Sequence, residues 1–596
     1  MFAEIIPALR LPPRFSFFDY LIPEGLNLLP GDVVKVPFRS GLIAGVVRSV
    51  KNETAQKGTL KNVSERIAGL RFDINILEWA ARAYGTSLPL VVFTFLPTRP
   101  KREIDDLETP LESPTPNQSS VTGRVEVSST PDERLLAHCR MIRQAIAGGR
   151  QALILAAEEA DLRFLADGLN RDFPRLVTLS GSLGIKESWN SMLAFARGSA
   201  PLLIGTRLAV LTPARDLGAI IIDREEDPSH KQGEANPRYD ARELAARRAS
   251  ALGIPLGVVA ETPSIRAFHQ NPNTPLPSGA ETILINLKNE WKSGNPGLLS
   301  EQLLRSVAEA RQNGKISVLF HNRKGLGGLV VCRDCRDVAA CQSCRQPMAA
   351  ERSGLVCRNC RTVRDIPLFC EKCRGPRIAV QKLGVQRLAQ DLKKAIPQAT
   401  IAEIARQKEG QTPPPIPSAD VLLGTEALLH WYRTRLYDLP VGLVGVILAD
   451  GLWHKPEYQA NEEALTILAA FSNLAAGKKA PFLVQTLDPD HRVLQALSGR
   501  AAEFYKAELE DRTRLLYPPA GLLVRLTSEK HRPNDRETQI LLAALLRAGA
   551  KTSIDQVTMP RRRTMSRITL KIPKDDQMRF KILSLVDPTW TIDIDS

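Results

Sequence analysis

Eight of the nine cysteines of this 596-residue chain fall between residues 332 and 373, in the order C-x2-C-x5-C-x2-C-x12-C-x2-C-x9-C-x2-C. No other stretch limits its local fold as tightly. A C-x-x-C turn sets two thiolates on one side of a tight knuckle, and two knuckles complete a tetrahedron about Zn²⁺. Four knuckles make two four-cysteine sites with no ligand left over. Closed coordination keeps no position for water, so both sites are structural rather than catalytic. The twelve-residue spacer suits a zinc ribbon closed by Cys341, Cys344, Cys357 and Cys360. That leaves Cys332, Cys335, Cys370 and Cys373 for a second ion. The short five-residue loop between the first two pairs favours this nested arrangement. Cys139 stands apart, as a free core thiol on a helix.

Clustered thiols in a chain of this size point to metal in a reducing compartment rather than to disulfides. No apolar run reaches the ~18 residues of a membrane span. The opening residues, MFAEIIPALRLPPRF, lack the basic stretch and apolar block of a secretory signal. The expectation is a cytoplasmic protein. Hydrophobic residues make up 43% of the chain, enough for sizeable cores, and its length predicts several domains. Lys and Arg number 80 against 65 acidic residues, and the net +15 favours polyanionic partners, nucleic acid first. The cysteine block is itself studded with basic residues from Arg333 to Arg374.

Residues 1–97 read as a small β-rich domain, with GDVVKVPF and LIAGVVRSV as strands and a helix near 77–86. Residues 98–131 are polar and rich in Pro, Ser and Thr, the composition of a flexible linker. A helix follows, with apolar positions at 135, 136, 139, 142 and 146. Short apolar runs then alternate with helical segments (QALILAA, RLVTLSG, PLLIGT, AIIID, LGVVA), the mark of a parallel α/β sheet. A second set comprises ISVLFH, LVV, ATIAEIA, DVLLGT, VGVILAD and PFLVQT, with the cysteine block inserted in it. The predicted fold is multidomain α/β. It has lobe one at 132–285, lobe two at 286–330 and 376–495, the insertion at 331–375, and an α+β domain at 496–596. No repeat of fixed period is visible.

These motifs together resemble the bacterial replication-restart family PriA (primosomal protein N′), superfamily 2 DNA helicases. RFSFFDYLIPEG (14–25) with KVPF (35–38) resembles the family's domain for the 3′ end of a nascent strand. LLIGTRLAVLTP (202–213) and AIIIDREEDPSHKQ (219–232) resemble RecA-like lobe one. LFHNRKG (319–325), the eight cysteines and LLGTEALL (422–429) resemble lobe two with its zinc insertion. YPPAGLLVRLT (517–527) resembles the start of the C-terminal domain. The resemblance implies two Zn²⁺ per chain, paired in the nested manner. It also implies forked or branched DNA, primosome and replicative-helicase loading proteins, and single-stranded-DNA-binding protein as partners, with the protein at the nucleoid.

The chain departs from this family where the motor should be. A phosphate loop needs Gly for close backbone approach, Lys for the β/γ-phosphates and Ser/Thr for Mg²⁺. In its place stands SSTPDERLL (128–136), and neither Gly314-Lys315 nor Gly477-Lys478 fits the motif. The D-E-x-H box becomes Asp223-Arg224-Glu225-Glu226, leaving Asp223 as a Mg²⁺ ligand of a degenerate nucleotide site and Arg224 expected to pair with it. The coupling motif is VAETP (259–263), and FSNLAAGKK (471–479) lacks the expected arginine pair. ATP binding is left without its main supports. The linker is too short for the winged-helix domain common in the family.

DNA contacts implied by the resemblance are Phe18, Asp19, Tyr20 and Lys61 at the 3′-end pocket and Arg238 and Tyr239 in the loop after Asp223. Stacking, acceptance from a free 3′-hydroxyl and a phosphate contact are chemistry suited to those side chains. Arg39 replaces a glycine at the pocket's edge. MPRRRTMSRITLKIPK (559–574) alternates basic and apolar residues, so a strand there presents Arg561 and Arg563 to phosphates. The reading is a DNA-binding replication-restart protein without its own motor. The alternatives are an ATP-dependent 3′-5′ helicase with an atypical nucleotide site, and a zinc-scaffolded interaction protein.

Overall fold

The computed structural model describes residues 1–11, 15–39, 41–54, 60–96, 124–276, 279–293, 295, 297–322, 328–332, 334–335, 337–343, 347–351, 354–357, 360, 362–382, 385–404, 415–432, 435–455, 457–559 and 563–595. They form five sheets. The N-terminal sheet is antiparallel, in the order Phe18–Leu21, Phe2–Pro7, Gly41–Lys51, Asp32–Phe38, Glu65–Arg71. Phe38 pairs with Gly41 across a two-residue connection, and such hairpins demand positive φ. Arg39 supplies it at 52°, in the place where the family resemblance puts a glycine.

Lobe one is a six-stranded parallel sheet. Its order is Arg124–Val127, Leu256–Ala260, Leu217–Asp223, Gln151–Leu155, Leu202–Gly205, Leu176–Leu179. The central strands are buried along their whole length, because helices cover both faces. Lobe two repeats the plan with Thr282–Asn286, Phe482–Thr486, Val441–Val446, Ile316–Phe320, Val421–Gly424, Ile401–Ile404. Numbered within each lobe, both orders read 1-6-5-2-4-3. The halves thus share one topology although no sequence period betrays it.

Several boundaries differ from those read in the sequence. Arg124–Val127, placed in the linker, is the edge strand of lobe one, its backbone completed by pairing with Gly257–Ala260. Thr282–Asn286, assigned to lobe one up to residue 285, pairs with Phe482–Thr486 and belongs to lobe two. LVV lies in the strand Gly328–Cys332, which joins the insertion sheet by pairing with Ile378–Lys382, not lobe two. The helix Pro131–Ile146 buries Arg134, Ala137, His138, Met141, Ile142 and Ala145. Leu136, expected inside, is 58% exposed.

A single core runs from Ile6 of the N-terminal domain through Leu153 and Ile254 of lobe one, fixing the two together. The C-terminal sheet, Lys551–Met559, Arg563–Pro573, Gly521–Ser528, Thr591–Asp595, is antiparallel. Its helix Asp576–Ser584 returns to the N-terminal domain and lobe one: Trp79 Nε1 donates to Asp576 (2.9 Å), and Arg579 donates to the Ala83 carbonyl (2.7 Å) and to Glu243 of lobe one (2.6 Å). Among the described residues no helix is long and apolar enough to cross a membrane.

Candidate functional sites

Two thiol clusters stand in the insertion. Cys332, Cys335, Cys370 and Cys373 gather with their sulfurs within 4.8 Å of one another, as do Cys341, Cys357 and Cys360; Cys344 lies outside the described residues. Cys332 and Cys373 are 3.6 Å apart, Cys335 and Cys370 3.5 Å, Cys341 and Cys360 3.4 Å. A tetrahedron with Zn–S bonds of ~2.3 Å has edges of about 3.8 Å, so the donor sets fit Zn²⁺. The antiparallel pairing of Gly328–Cys332 with Ile378–Lys382 brings the first and last knuckles together. Met348–Glu351 against Gly354–Cys357 forms the ribbon that carries the inner cluster. Among the described residues the core of the insertion is Val330, Cys341, Met348, Leu355 and Cys357 with Ala339, Ala350 and Ile378 packed against it, too little to hold a fold unaided.

Asp223 ends the central strand of lobe one and is fully buried. Arg134 Nε donates to Oδ1 at 2.8 Å and Nη2 to Oδ2; His138 Nε2 meets Oδ1 at 2.8 Å. Arg134 and His138 lie four residues apart on one helix face. Arg134 Nη2 also bonds Asp161 (2.7 Å). Arg224, at φ 49°, turns away from Asp223 and bonds Asp161 (2.7 Å) and Asp227 (2.5 Å). The expected Arg224–Asp223 pair is therefore replaced by a chain of alternating charge, Asp223–Arg134–Asp161–Arg224–Asp227. Burial works against charge on Asp223, but the Arg134 guanidinium and the His138 bond hold its carboxyl far below the usual range. Both carboxylate oxygens are engaged, which disfavours a Mg²⁺ there. Arg134, His138 and Asp161 escaped the sequence reading; the i, i+4 spacing of Arg and His on a helix with its own buried periodicity was the available signal.

The N-terminus of the helix Pro131–Ile146, where the family resemblance sets the phosphate loop, is closed by its own residues. Thr130 Oγ1 accepts from Glu133 N (3.3 Å), Glu133 Oε2 accepts from Ser129 N (2.8 Å), and Pro131 has no N–H to offer. Asp132 and Glu133 add negative charge to the first turn, where an incoming phosphate would need the reverse. From lobe two, Tyr437 Oη donates to the Ser129 carbonyl (2.9 Å), and Gly477 packs beside Thr130 and Tyr437. Ser264, beside the VAETP segment, donates to Glu225 (2.8 Å).

At the N-terminal domain, the Phe18 ring lies edge-on to Phe38 (5.5 Å) and stacks with half-exposed Phe15 (6.1 Å). The Arg39 guanidinium sits 5.9 Å from Phe38, and Lys61 Nζ donates to the Arg39 carbonyl (3.2 Å). These residues form one aromatic and cationic surface. Tyr20 is not part of it: it is buried, with its hydroxyl on the Pro37 carbonyl (3.2 Å). Asp19 alternates to the other face of the strand, beside Lys51 (3.4 Å) and the Thr54 hydroxyl.

Tyr239 is likewise unavailable for stacking on bases. It is 1% exposed and packs edge-on against Phe95 (5.0 Å), part of the core shared by the N-terminal domain and lobe one. Arg238 turns to Asp593 (3.4 Å). Arg563 begins a strand paired in register with Lys551–Met559, while Arg561 lies outside the described residues. Lys571 Nζ is held over the Tyr517 ring (3.5 Å). A cavity of about 900 Å³ opens where the lobes, the insertion and the C-terminal domain meet, with Arg224, Lys231, Tyr458 and Asp595 among its walls.

Comparison with known proteins follows the same lines as these sites. Residues 8–97 match the family model of the PriA 3′ DNA-binding domain (3′BD). The chain is 28% identical over 426 residues to the replication restart protein PriA of Bacillus subtilis (strain 168), covering 65% of this chain and 51% of that protein. It is 28% identical over 438 residues to that of Synechocystis sp. (strain PCC 6803), covering 67% and 51%. With that of Rickettsia felis it is 24% identical over 653 residues, covering 99% and 95%. It spans about half the length of the first two relatives and nearly all of the third. The chain thus resembles the PriA replication-restart proteins, at modest identity, over much of its length.

Proposed function

We propose that this chain acts in replication restart by binding branched DNA at stalled forks and serving as a platform for primosome assembly and helicase reloading, without unwinding DNA by ATP hydrolysis. The observation that carries the DNA half of this reading is the 3′ DNA-binding domain at residues 8–97, whose aromatic and cationic surface of Phe15, Phe18, Phe38, Arg39 and Lys61 suits a terminal base and its phosphate. The two cysteine clusters hold one Zn²⁺ each and keep the insertion rigid as a partner-binding knob. The motorless half rests on the engagement of Asp223 by Arg134 and His138, on the capped helix at Thr130, and on the lobe-to-lobe contact through Tyr437. Phosphoryl transfer needs a metal and a charge clamp on the transferring group, and these residues already answer one another.

The test pairs two measurements on the zinc-loaded chain. One is binding to a fork with a free 3′ end against the same fork with a 3′-phosphate; the other is ATP hydrolysis with and without that fork. Binding that prefers the free end, with no hydrolysis above background, is expected. Fork-stimulated hydrolysis lost in Asp223→Ala would establish the helicase reading instead.

A further inference from the structure

The last strand of the C-terminal sheet, Thr591–Asp595, directs Asp593 and Asp595 to one face by its two-residue period. That face meets the loop that follows Asp223 in lobe one. Lys231 Nζ lies 2.6 Å from Asp593 and also pairs with Asp595. Arg238 is 3.4 Å from Asp593, and Arg525 of the neighbouring strand is 2.7 Å from Asp595. Two carboxylates of the chain's own end thus bridge three cations drawn from two domains. The side chains retain 13–29% exposure, so the cluster is wet. Lys231 and Asp595 lie on the wall of the ~900 Å³ cavity, so one side of the cluster opens into it.

Carboxylate and phosphate offer Lys and Arg the same charge-assisted hydrogen bonds. Residues i and i+2 of a strand are about 6.6 Å apart, comparable to the separation of successive phosphates on an extended nucleic-acid strand. We propose that Lys231, Arg238 and Arg525 form a phosphate-binding site that Asp593 and Asp595 occupy in cis, so that the C-terminal strand competes with a nucleic-acid backbone for it. The inference rests on the reading that this chain binds DNA. The ladder pairs Leu523 with Asp595 and Arg525 with Asp593, so exchange asks only for two carboxylates to rotate, not for the strand to leave its sheet.

The experiment follows the affinity of the full zinc-loaded chain for fluorescein-labelled oligothymidine across a KCl series. Asp593→Asn/Asp595→Asn is expected to bind about tenfold tighter at low salt. Its log K against log[salt] slope should steepen by about 1.4, for two phosphates at ~0.7 each on single strands. Adding Lys231→Gln and Arg525→Gln should abolish the gain. An unchanged or weaker affinity in the Asn variant, with a lower melting temperature, would overturn the proposal and leave a mere interdomain clamp. Should the double variant fail to fold, Asp593→Asn alone keeps the Asp595 pairs and is expected to gain about threefold, half the effect on a logarithmic scale. DNA binding absent from every variant would instead refute the DNA-binding reading, whereas wild-type binding with no gain refutes only the competition.

Discussion

Replacing Arg134 by methionine tests whether the centre of lobe one is an ion network or a nucleotide site in waiting. Methionine keeps the side-chain length and removes the charge. Asp223, with no exposed surface, then loses its contacts to Nε at 2.8 Å and to Nη2, and Asp161 loses one of its two guanidinium partners. Breaking a buried pair from one side costs about 3–5 kcal/mol, because the remaining charge cannot reach water. At about 2–4 °C per kcal/mol for a unit of this size, the unfolding transition of lobe one should fall by roughly 6–20 °C. The pH dependence carries a second signature. In the wild type Asp223 is depressed, so its stabilisation is complete above the ordinary carboxylate pKa and is lost only in strong acid. In the variant burial acts without Arg134, the proton is held more tightly, and the deficit should shrink as pH falls from about 8 to about 5.5. Differential scanning calorimetry at both pH values, with and without Mg²⁺·ATP, measures this. A loss below about 1 kcal/mol, the range of an ordinary surface ion pair, or a wild-type melting temperature raised by Mg²⁺·ATP, would refute the reasoning.

Three further outcomes are expected. Cys335→Ser and Cys357→Ser should each lower bound zinc from two ions to one per chain by plasma emission, since they belong to separate clusters. Phe18→Ala should weaken binding to a free 3′ end by about 1–3 kcal/mol, the worth of one stacked base, and leave binding to a blocked end nearly unchanged in a fluorescence titration. Burial pushes Asp450 up from its ordinary 3.8 to about 6 despite hydrogen bonds from Leu487 N and Thr486. The folded state holds that proton more tightly, so this group costs stability as pH rises from about 4 to about 6 and beyond. Asp450→Asn should therefore raise stability at neutral pH by up to about 3 kcal/mol, with no gain below pH 4 in denaturant titrations.

The cysteine clusters, the β-rich N-terminal domain and the two parallel sheets were legible in the sequence because each is written in local spacing. A knuckle is four residues long, and a buried parallel strand is one unbroken apolar run. The helix Pro131–Ile146 shows where such reading ends. Its apolar residues mark a face through 135, 136, 139, 142 and 146; Ile142 is buried and Leu135, Cys139 and Ile146 pack against the core, but Leu136 is exposed and the same helix also buries Arg134 and His138. The reason lies 85–89 residues away in Asp223, whose charge pulls that face inward. The same holds for Tyr20 and Tyr239, aromatic residues whose type suited stacking on bases but whose neighbours place them in cores.

What the sequence alone determined was the set of parts: thiol pairs spaced to share a metal, strands that must be covered on both faces, and Gly-Lys pairs that no Ser or Thr follows. What only the tertiary structure decided was which charges answer which. It set Arg134 rather than Arg224 against Asp223, closed the helix at Thr130 against the other lobe, and laid Asp593 and Asp595 on Lys231 and Arg238. Covalent spacing governs a knuckle or a strand within a few residues. An ion pair depends on distance and burial in space, and residues remote in sequence acquire those only when the chain has folded.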